Sequence, residues 1–281
     1  METLDSSVVI AGYHAAPEAA DGLALAHLIS QLTDRDLLVA RVIPDVPEHP
    51  GATRAEQLHV RRLVGESNAA VLAVVPDGSI EVMPVLDPRV AHGLHDLARR
   101  QEASLIVLGS SHHSGLGRVL LGGTAEQVVD GAPCPVAVAP PHFHEDPTIA
   151  PPVVGVAWDG SPASRAAVVT AAELAGATGY DLLVIHVEPS LAHRPLGGTR
   201  TTLEEGVELA RRVASGDVTV EGSQREGDPG AELVDATRSD VGVLVVGSRA
   251  RGALARVLLG SVSGHVMRGA HAPVLVVPAP A

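Results

Sequence analysis

The stretch "VVGSRARGALARVLLGSVSGHV" (residues 245–266) gathers residue types suited to holding an anion. It runs from an apolar, strand-like segment through glycines and arginines to a serine at the head of a short helical pattern. Gly247 lets the backbone leave the strand where a side chain would block a phosphate. Gly260 and Ser261 begin a helix whose free N–H groups and positive dipole end favour negative charge. The Ser261 hydroxyl can cap that helix or bond a phosphate oxygen. Gly252 gives the intervening loop freedom, and Arg249, Arg251 and Arg256 add positive charge. Thirteen residues separate Val246 from Gly260, too many for the tight turn of a dinucleotide fingerprint. The same residues also suit an ordinary surface loop before a capped helix.

Other chemistry is narrowed by composition. All 20 basic residues are arginine, which removes the Walker-type phosphate loop, Schiff-base chemistry and lysine general bases. The net charge of −13 argues against nucleic acid or an anionic membrane as partner. Residues 1–146 carry 9 Arg against 19 acidic residues, a balance of −10, and the remainder 11 against 14, a balance of −3. The second half is the more hospitable to a polyanion. The 14 histidines, including "HFHED" (142–146) and His112–His113, form no ligand set of fixed spacing, so no metal site is expected. His186 reads as a half-buried polar residue rather than a base. Cys134, the single cysteine, rules out an internal disulfide and reads as a small residue before a strand. No apolar run nears the roughly 20 residues that span a bilayer, and no signal pattern opens the chain, so a cytoplasmic location is the default.

The elements that must position these residues occur twice. "VVIAGYHAAP" (8–17) matches "VVGVAWDGSP" (153–162), and "DLLVARVIP" (36–44) matches "DLLVIHVEP" (181–189). "LIVLGSS" (105–111) answers "VLVVGSR" (243–249), "GRVLLGG" (117–123) answers "ARVLLGS" (255–261), and "APCPVAVAP" (132–140) answers "AHAPVLVVP" (270–278). Agreement at five places in one order marks a tandem duplication, with domains at 1–146 and 147–281. The seam, "PPHFHEDPTIAPP" (140–152), reads as a mobile, proline-rich linker. In the second copy strands are expected at 153–158, 181–187, 218–222, 241–247 and 273–278. Helices are expected at 201–215, 230–239 and 261–268, and another from the Ser161 N-cap and Pro162 to a stop at Gly176. Five strands alternating with helices predict an open parallel sheet with right-handed crossovers, whose ligands sit beyond the carboxyl ends of the strands. With aromatics at 1% the core must be Val, Leu, Ile and Ala, which suits such a sheet. Tyr13 and Trp158 hold equivalent positions, where packing is expected and stacking on a base is the alternative.

The 247–261 segment resembles the signature of the universal stress protein family, G-x-x-G-x9-G-[S/T], which in ATP-binding members cradles triphosphate and ribose. "DGSP" after the first strand, "HV" at 186–187 and the strand after Ala-Pro match that family too, and the likeness covers nearly the whole chain, twice. The resemblance implies an α/β fold of two tandem, open, five-stranded parallel-sheet domains, Rossmann-like with helices on both faces. It places Asp159 beside a nucleotide, Val187 with its backbone toward adenine, and Gly247, Gly260 and Ser261 on phosphates and ribose. The second motif glycine is Ala250. In the N-terminal copy Gly109 and Gly122 remain, but the middle glycine is His112, the final Ser/Thr is Gly123 and the aspartate is His14. There Thr124, one position late, is the candidate substitute in a degenerate site.

The expectation is a nucleotide-responsive stress regulator that takes ATP or AMP in its C-terminal domain, with Mg²⁺ on the phosphates. No side chain is evident that would activate water efficiently, so any hydrolysis is slow and a protein partner reads the bound state. The apolar last strand of each copy is an edge, which predicts a homodimer or an internal pseudo-dimer. The alternative is a dimerisation scaffold that binds no nucleotide.

Overall fold

The computed structural model describes residues 8–14, 18–45, 53–76, 80–110, 123–188, 202–251, 256–258 and 260–279. It divides into two compact units that part between Thr148 and Ile149. The first contains β1 (Val8–Gly12), α1 (Glu18–Thr33), β2 (Asp36–Ile43), α2 (Arg54–Val74), β3 (Val82–Leu86), α3 (Val90–Arg100), β4 (Leu105–Gly109), α4 (Gly123–Val129) and β5 (Val136–Ala139). Its strands run parallel in the order β3-β2-β1-β4-β5. The second contains β6 (Val153–Trp158), α5 (Pro162–Thr178), β7 (Asp181–Glu188), α6 (Leu203–Val213), β8 (Val220–Glu226), α7 (Pro229–Ser239) and β9 (Val243–Gly247). A short ribbon, β10 (Arg249–Arg251) and β11 (Arg256–Leu258), then leads to α8 (Ser261–Gly269) and β12 (Val274–Val277). The parallel order here is β8-β7-β6-β9-β12.

In both units the chain starts mid-sheet, winds one way for two strands and then crosses back. Right-handed crossovers therefore put the first two helices on one face and the last two on the other. The helix contacts agree: α1 packs with α2 and α5 with α6, while α3 packs with α4 and α7 with α8. Covered on both faces, β4, β5, β9 and β12 are apolar and almost wholly buried. β8, the outer strand "VEGSQRE", is mostly polar and exposed.

Local chemistry starts the helices. The Thr53 hydroxyl accepts the Glu56 amide while a Glu56 carboxylate oxygen accepts the Thr53 amide, a reciprocal cap on α2. Ser161, Thr202 and Asp228 cap α5, α6 and α7 from one side only, each side-chain oxygen accepting an amide three residues on, with proline next in α5 and α7. Helix α5 does not stop at Gly176. That glycine lies inside the helix, where a Cβ would come 2.5 Å from the Ser215 hydroxyl, and Gly179 at φ +71° ends it.

The seam departs from the expected loose linker. Phe143–Glu145 form a 3-10 turn with Phe143 buried. Asp21, wholly buried in α1, accepts the His142 and His144 amides at 3.1 Å each and meets His144 Nδ1 at 2.6 Å. A buried carboxylate with three donors pins this segment to the N-terminal unit.

Candidate functional site

The C-terminal candidates follow from where the strands end. β6 pairs with β7 up to Trp158 opposite His186, and with β9 on its other side, so Asp159, Val187 and Gly247 come to the same, carboxyl end of three adjacent strands. Asp159 is exposed, and its Oδ1 accepts the Ser161 amide at 3.0 Å in a turn completed by Gly160 at φ +76°. Val187 is buried in β7 opposite Arg225. At Gly247 a Cβ would fall 2.5 Å from the Ala163 carbonyl oxygen and 2.6 Å from its carbon. Glycine is thus required there to seat the first turn of α5 on the end of β9, a packing reason that the sequence reading assigned to a phosphate.

Gly260, not Ser261, is the N-cap of α8, and its carbonyl accepts the Gly264 amide at 2.8 Å. Ser261 is the first helical residue and exposed. The amides of that first turn have no intrahelical acceptor. Because β12 runs parallel to β9, α8 must travel back between them, so it opens at the carboxyl end where Asp159 and Gly247 lie. Ala250 lies opposite Val257 in the β10–β11 ribbon, an extended position open to any residue. Gly252 lies outside the described residues.

Beside these residues the remaining groups are engaged. Trp158 is 2% exposed, donates Nε1–H to the Thr202 carbonyl at 2.9 Å and lies flat against Gly206 of α6. The Arg165 guanidinium sits 5.2 Å from its ring centroid. His186 Nδ1 donates to the Trp158 carbonyl at 2.9 Å, which fixes the ring.

In the N-terminal unit a cavity of about 260 Å³ opens at the carboxyl ends of β1 and β4, where the strand order reverses. Gly109, Gly123 and Thr124 all line it, with Tyr13 and His14; Gly122 and His112 lie outside the described residues. Burial pushes the Tyr13 phenol up, with Arg41 opposing in part. Ser110 also lines the cavity, and its Oγ is buried without a hydrogen-bond partner among the described residues. The matching Ser248 Oγ accepts the Ala279 amide at 3.1 Å. Pro141 holds Ala279's place in the first copy and has no N–H to give. That difference was visible in the aligned closing strands, yet the sequence reading did not single out Ser110.

A second group it missed is Asp87, His92 and Asp96, whose ligand atoms lie within 4.8 Å of one another. His92 Nδ1 meets Asp87 at 2.6 Å and Asp96 at 3.4 Å. Burial pushes the Asp87 carboxyl up, but the Arg89 amide and His92 outweigh it and hold it below the ordinary carboxylate range. The protein's own hydrogen bonds account for this cluster.

Among the described residues no helix is long and apolar enough to cross a membrane. The family model of the universal stress proteins matches residues 9–140 and 152–278. The universal stress protein Mb2028c of Mycobacterium bovis is 37% identical over 187 residues, 62% of this chain and 62% of its own length. Universal stress protein MT2698 of Mycobacterium tuberculosis is 29% identical over 253 residues, 83% of this chain and 80% of its own. A crystal structure of a universal stress protein from Archaeoglobus fulgidus superposes with a TM-score of 0.72 at 19% identity, covering 98% of this chain and all of that one, which shows a common fold. With a duplicated parallel α/β fold and the family model matched in both copies, the chain belongs to the universal stress protein family.

Proposed function

We propose that the C-terminal domain binds an adenine nucleotide, ATP or AMP, with Mg²⁺ carried on the phosphates, and that a protein partner in the cytoplasm reads the bound state. The observation that carries this is the opening of α8: a cap without a side chain, followed by amides without intrahelical acceptors, at the carboxyl end of β9. Asp159, held by its turn at the end of β6, is the group for the nucleoside, and the Val187 backbone on the next strand is the adenine contact. The more neutral second half makes this the domain for a polyanion. Efficient hydrolysis is not part of the reading: the chain has no lysine, and His186 Nδ1 is committed to the Trp158 carbonyl. Association of two chains through an edge strand belongs to the same reading.

Titration calorimetry of the full chain with ATP and with AMP tests it. One nucleotide per chain is expected, weakened at least about tenfold by Gly260→Asp, which sets a carboxylate against the phosphates. No heat at millimolar nucleotide, or equal affinity in Gly260→Asp, overturns the reading and leaves the scaffold.

A further inference from the structure

The two units end in unlike sheet edges. In the N-terminal unit the outer strand is β3. Its Val82 amide donates to Asn68 Oδ1 of α2 at 2.8 Å rather than to β2, so Val82 turns outward. Alternation turns Pro84 the same way, and proline has no N–H to offer. A strand arriving here would find one donor taken and the next missing, which closes the edge.

The outer strand of the C-terminal unit, β8, is built otherwise. The Thr219 carbonyl accepts the Leu182 amide at 2.8 Å, and Gly227 donates to the Glu188 carbonyl at 3.0 Å, so both turn toward β7. The register between them is unbroken. Alternation therefore turns residues 221, 223 and 225 inward and points the N–H and C=O of Gly222, Gln224 and Glu226 away from the sheet. All three residues are exposed, and among the described residues no strand pairs with their outer side. The outward carbonyl of Val220 already draws the Arg211 guanidinium, at 3.1 Å. No proline interrupts the seven residues. The edge is also acidic. Arg225, the one base of β8, is 15% exposed and turned onto α7, where it meets Asp240, Glu232 and Asp235. Glu221 and Glu226 are left exposed on the strand, one on each face of the sheet.

We propose that β8 docks an extended, basic segment of a protein partner. The segment adds to the sheet as a further strand, exchanging backbone hydrogen bonds with Gly222, Gln224 and Glu226 and setting its bases against Glu221 and Glu226. Backbone pairing gives affinity in this mode, and side chains select the partner. The acids that favour a basic strand discourage an acidic one. This names a surface for a protein partner but does not rest on the nucleotide reading, since no residue of that site takes part.

The test titrates the full chain with an end-capped, seven-residue peptide of arginines and threonines that carries a base on each face. Calorimetry should show one peptide per chain. The same peptide N-methylated at alternate residues keeps its charge but loses its donors, and should bind at least about tenfold more weakly. Gln224→Pro copies the device of the closed edge and should weaken the parent peptide at least about tenfold, with circular dichroism melts confirming that the variant folds. Replacing Glu221 and Glu226 together by arginine leaves the backbone intact; it should weaken the arginine peptide and admit its glutamate counterpart. Gly260→Asp should bind the arginine peptide as the parent chain does, which separates this surface from the nucleotide site. No binding of the arginine peptide, equal affinity for its methylated form, indifference to Gln224→Pro or to the charge reversal, or loss of binding in Gly260→Asp would each overturn the proposal.

Discussion

Tyr13, just past β1, and Trp158, the last residue of β6, hold equivalent positions in the two copies, and their surroundings have gone different ways. Trp158 is pressed against Gly206 and tied to the Thr202 carbonyl. Tyr13 lines an opening. In the copy where His14, His112 and Gly123 stand in place of the motif residues, described residues frame a cavity; in the copy that kept Asp159, Gly260 and Ser261, the aromatic ring is packed. Duplication preserved strand order and helix placement, which depend on periodicity. It did not preserve what fills the carboxyl end, which depends on the volume of a few side chains. Replacement of the phosphate motif therefore left open space at this end of the first copy.

The largest break in this comparison comes from the ring itself. Trp158→Ala should cost about 3–5 kcal/mol, the usual loss for a buried tryptophan. Tyr13→Ala should cost less, because Tyr13 is among the residues lining the opening and its substitution removes a smaller ring. Urea unfolding followed by circular dichroism measures both; equal losses would mean that the two rings are packed alike.

Next comes a close approach that the copies solve at different residues. In the N-terminal unit a Cβ on Gly22 of α1 would lie 2.6 Å from the Leu108 carbonyl carbon of β4. In the C-terminal unit the same helix position is Ala167, fully buried, and the tight contact has moved to Gly247 against Ala163. Gly22→Ala thus copies the partner domain's own residue, yet should destabilise by about 1–3 kcal/mol through overpacking. The single tryptophan lies in the other unit, so its fluorescence transition should stay in place while the dichroism transition moves. A neutral Gly22→Ala would show that α1 can lift off β4 at no cost.

The paired serines give a smaller effect with a difference in sign. Ser248→Ala removes the acceptor of the Ala279 amide and should cost about 1 kcal/mol. Ser110→Ala removes a hydroxyl that has no partner among the described residues and should be neutral or slightly stabilising. Denaturant midpoints of the two variants decide it, and a Ser110→Ala loss as large as that of Ser248→Ala would mean that ordered water already satisfies Ser110.

The alternation of apolar strands with capped helices made both sheets legible, and the repeat fixed where the second begins. Three features were not. Asp21 sits in "EAADGLALA", where an acid reads as a solvated helix face; only the tertiary return of His142 and His144 reveals three donors aimed at it. Gly176 reads as a helix stop because glycine commonly ends helices, yet here it admits Ser215. The β10–β11 ribbon lies in an Arg- and Ala-rich segment without period-2 alternation, and tertiary context overrides that weak signal. For the site, motif spacing pointed to the residues that would meet phosphate. It carried no information on the space left between side chains, which is why the cavity and Ser110 went unseen.

The weakest contrast is also the most selective. His95, the sixth residue of α3, is 8% exposed, and its Nε2 donates to the Val128 carbonyl at 2.7 Å. Its counterpart, the sixth residue of α7, is Val234, and the two face equivalent glycines, Gly131 and Gly269. Burial pushes the His95 ring below its ordinary value of 6.5, with the Val128 carbonyl opposing in part. Above that value the ring is neutral in both states and pH has no effect through it. As pH falls below 6.5 the unfolded chain takes up a proton that the folded chain refuses, so stability is lost until the folded value is reached. Asp87, held low, keeps its own contribution down to more acidic pH and stays out of this window. Acidification from about pH 7 to about pH 5 should therefore lower the dichroism transition of the N-terminal unit more than the Trp158 fluorescence transition of the other. His95→Gln, which keeps a donor for Val128 and removes the titration, should flatten the difference. If the slope survives that substitution, the acid sensitivity of this copy has another source, and the exchange of His95 for Val234 is a packing change alone.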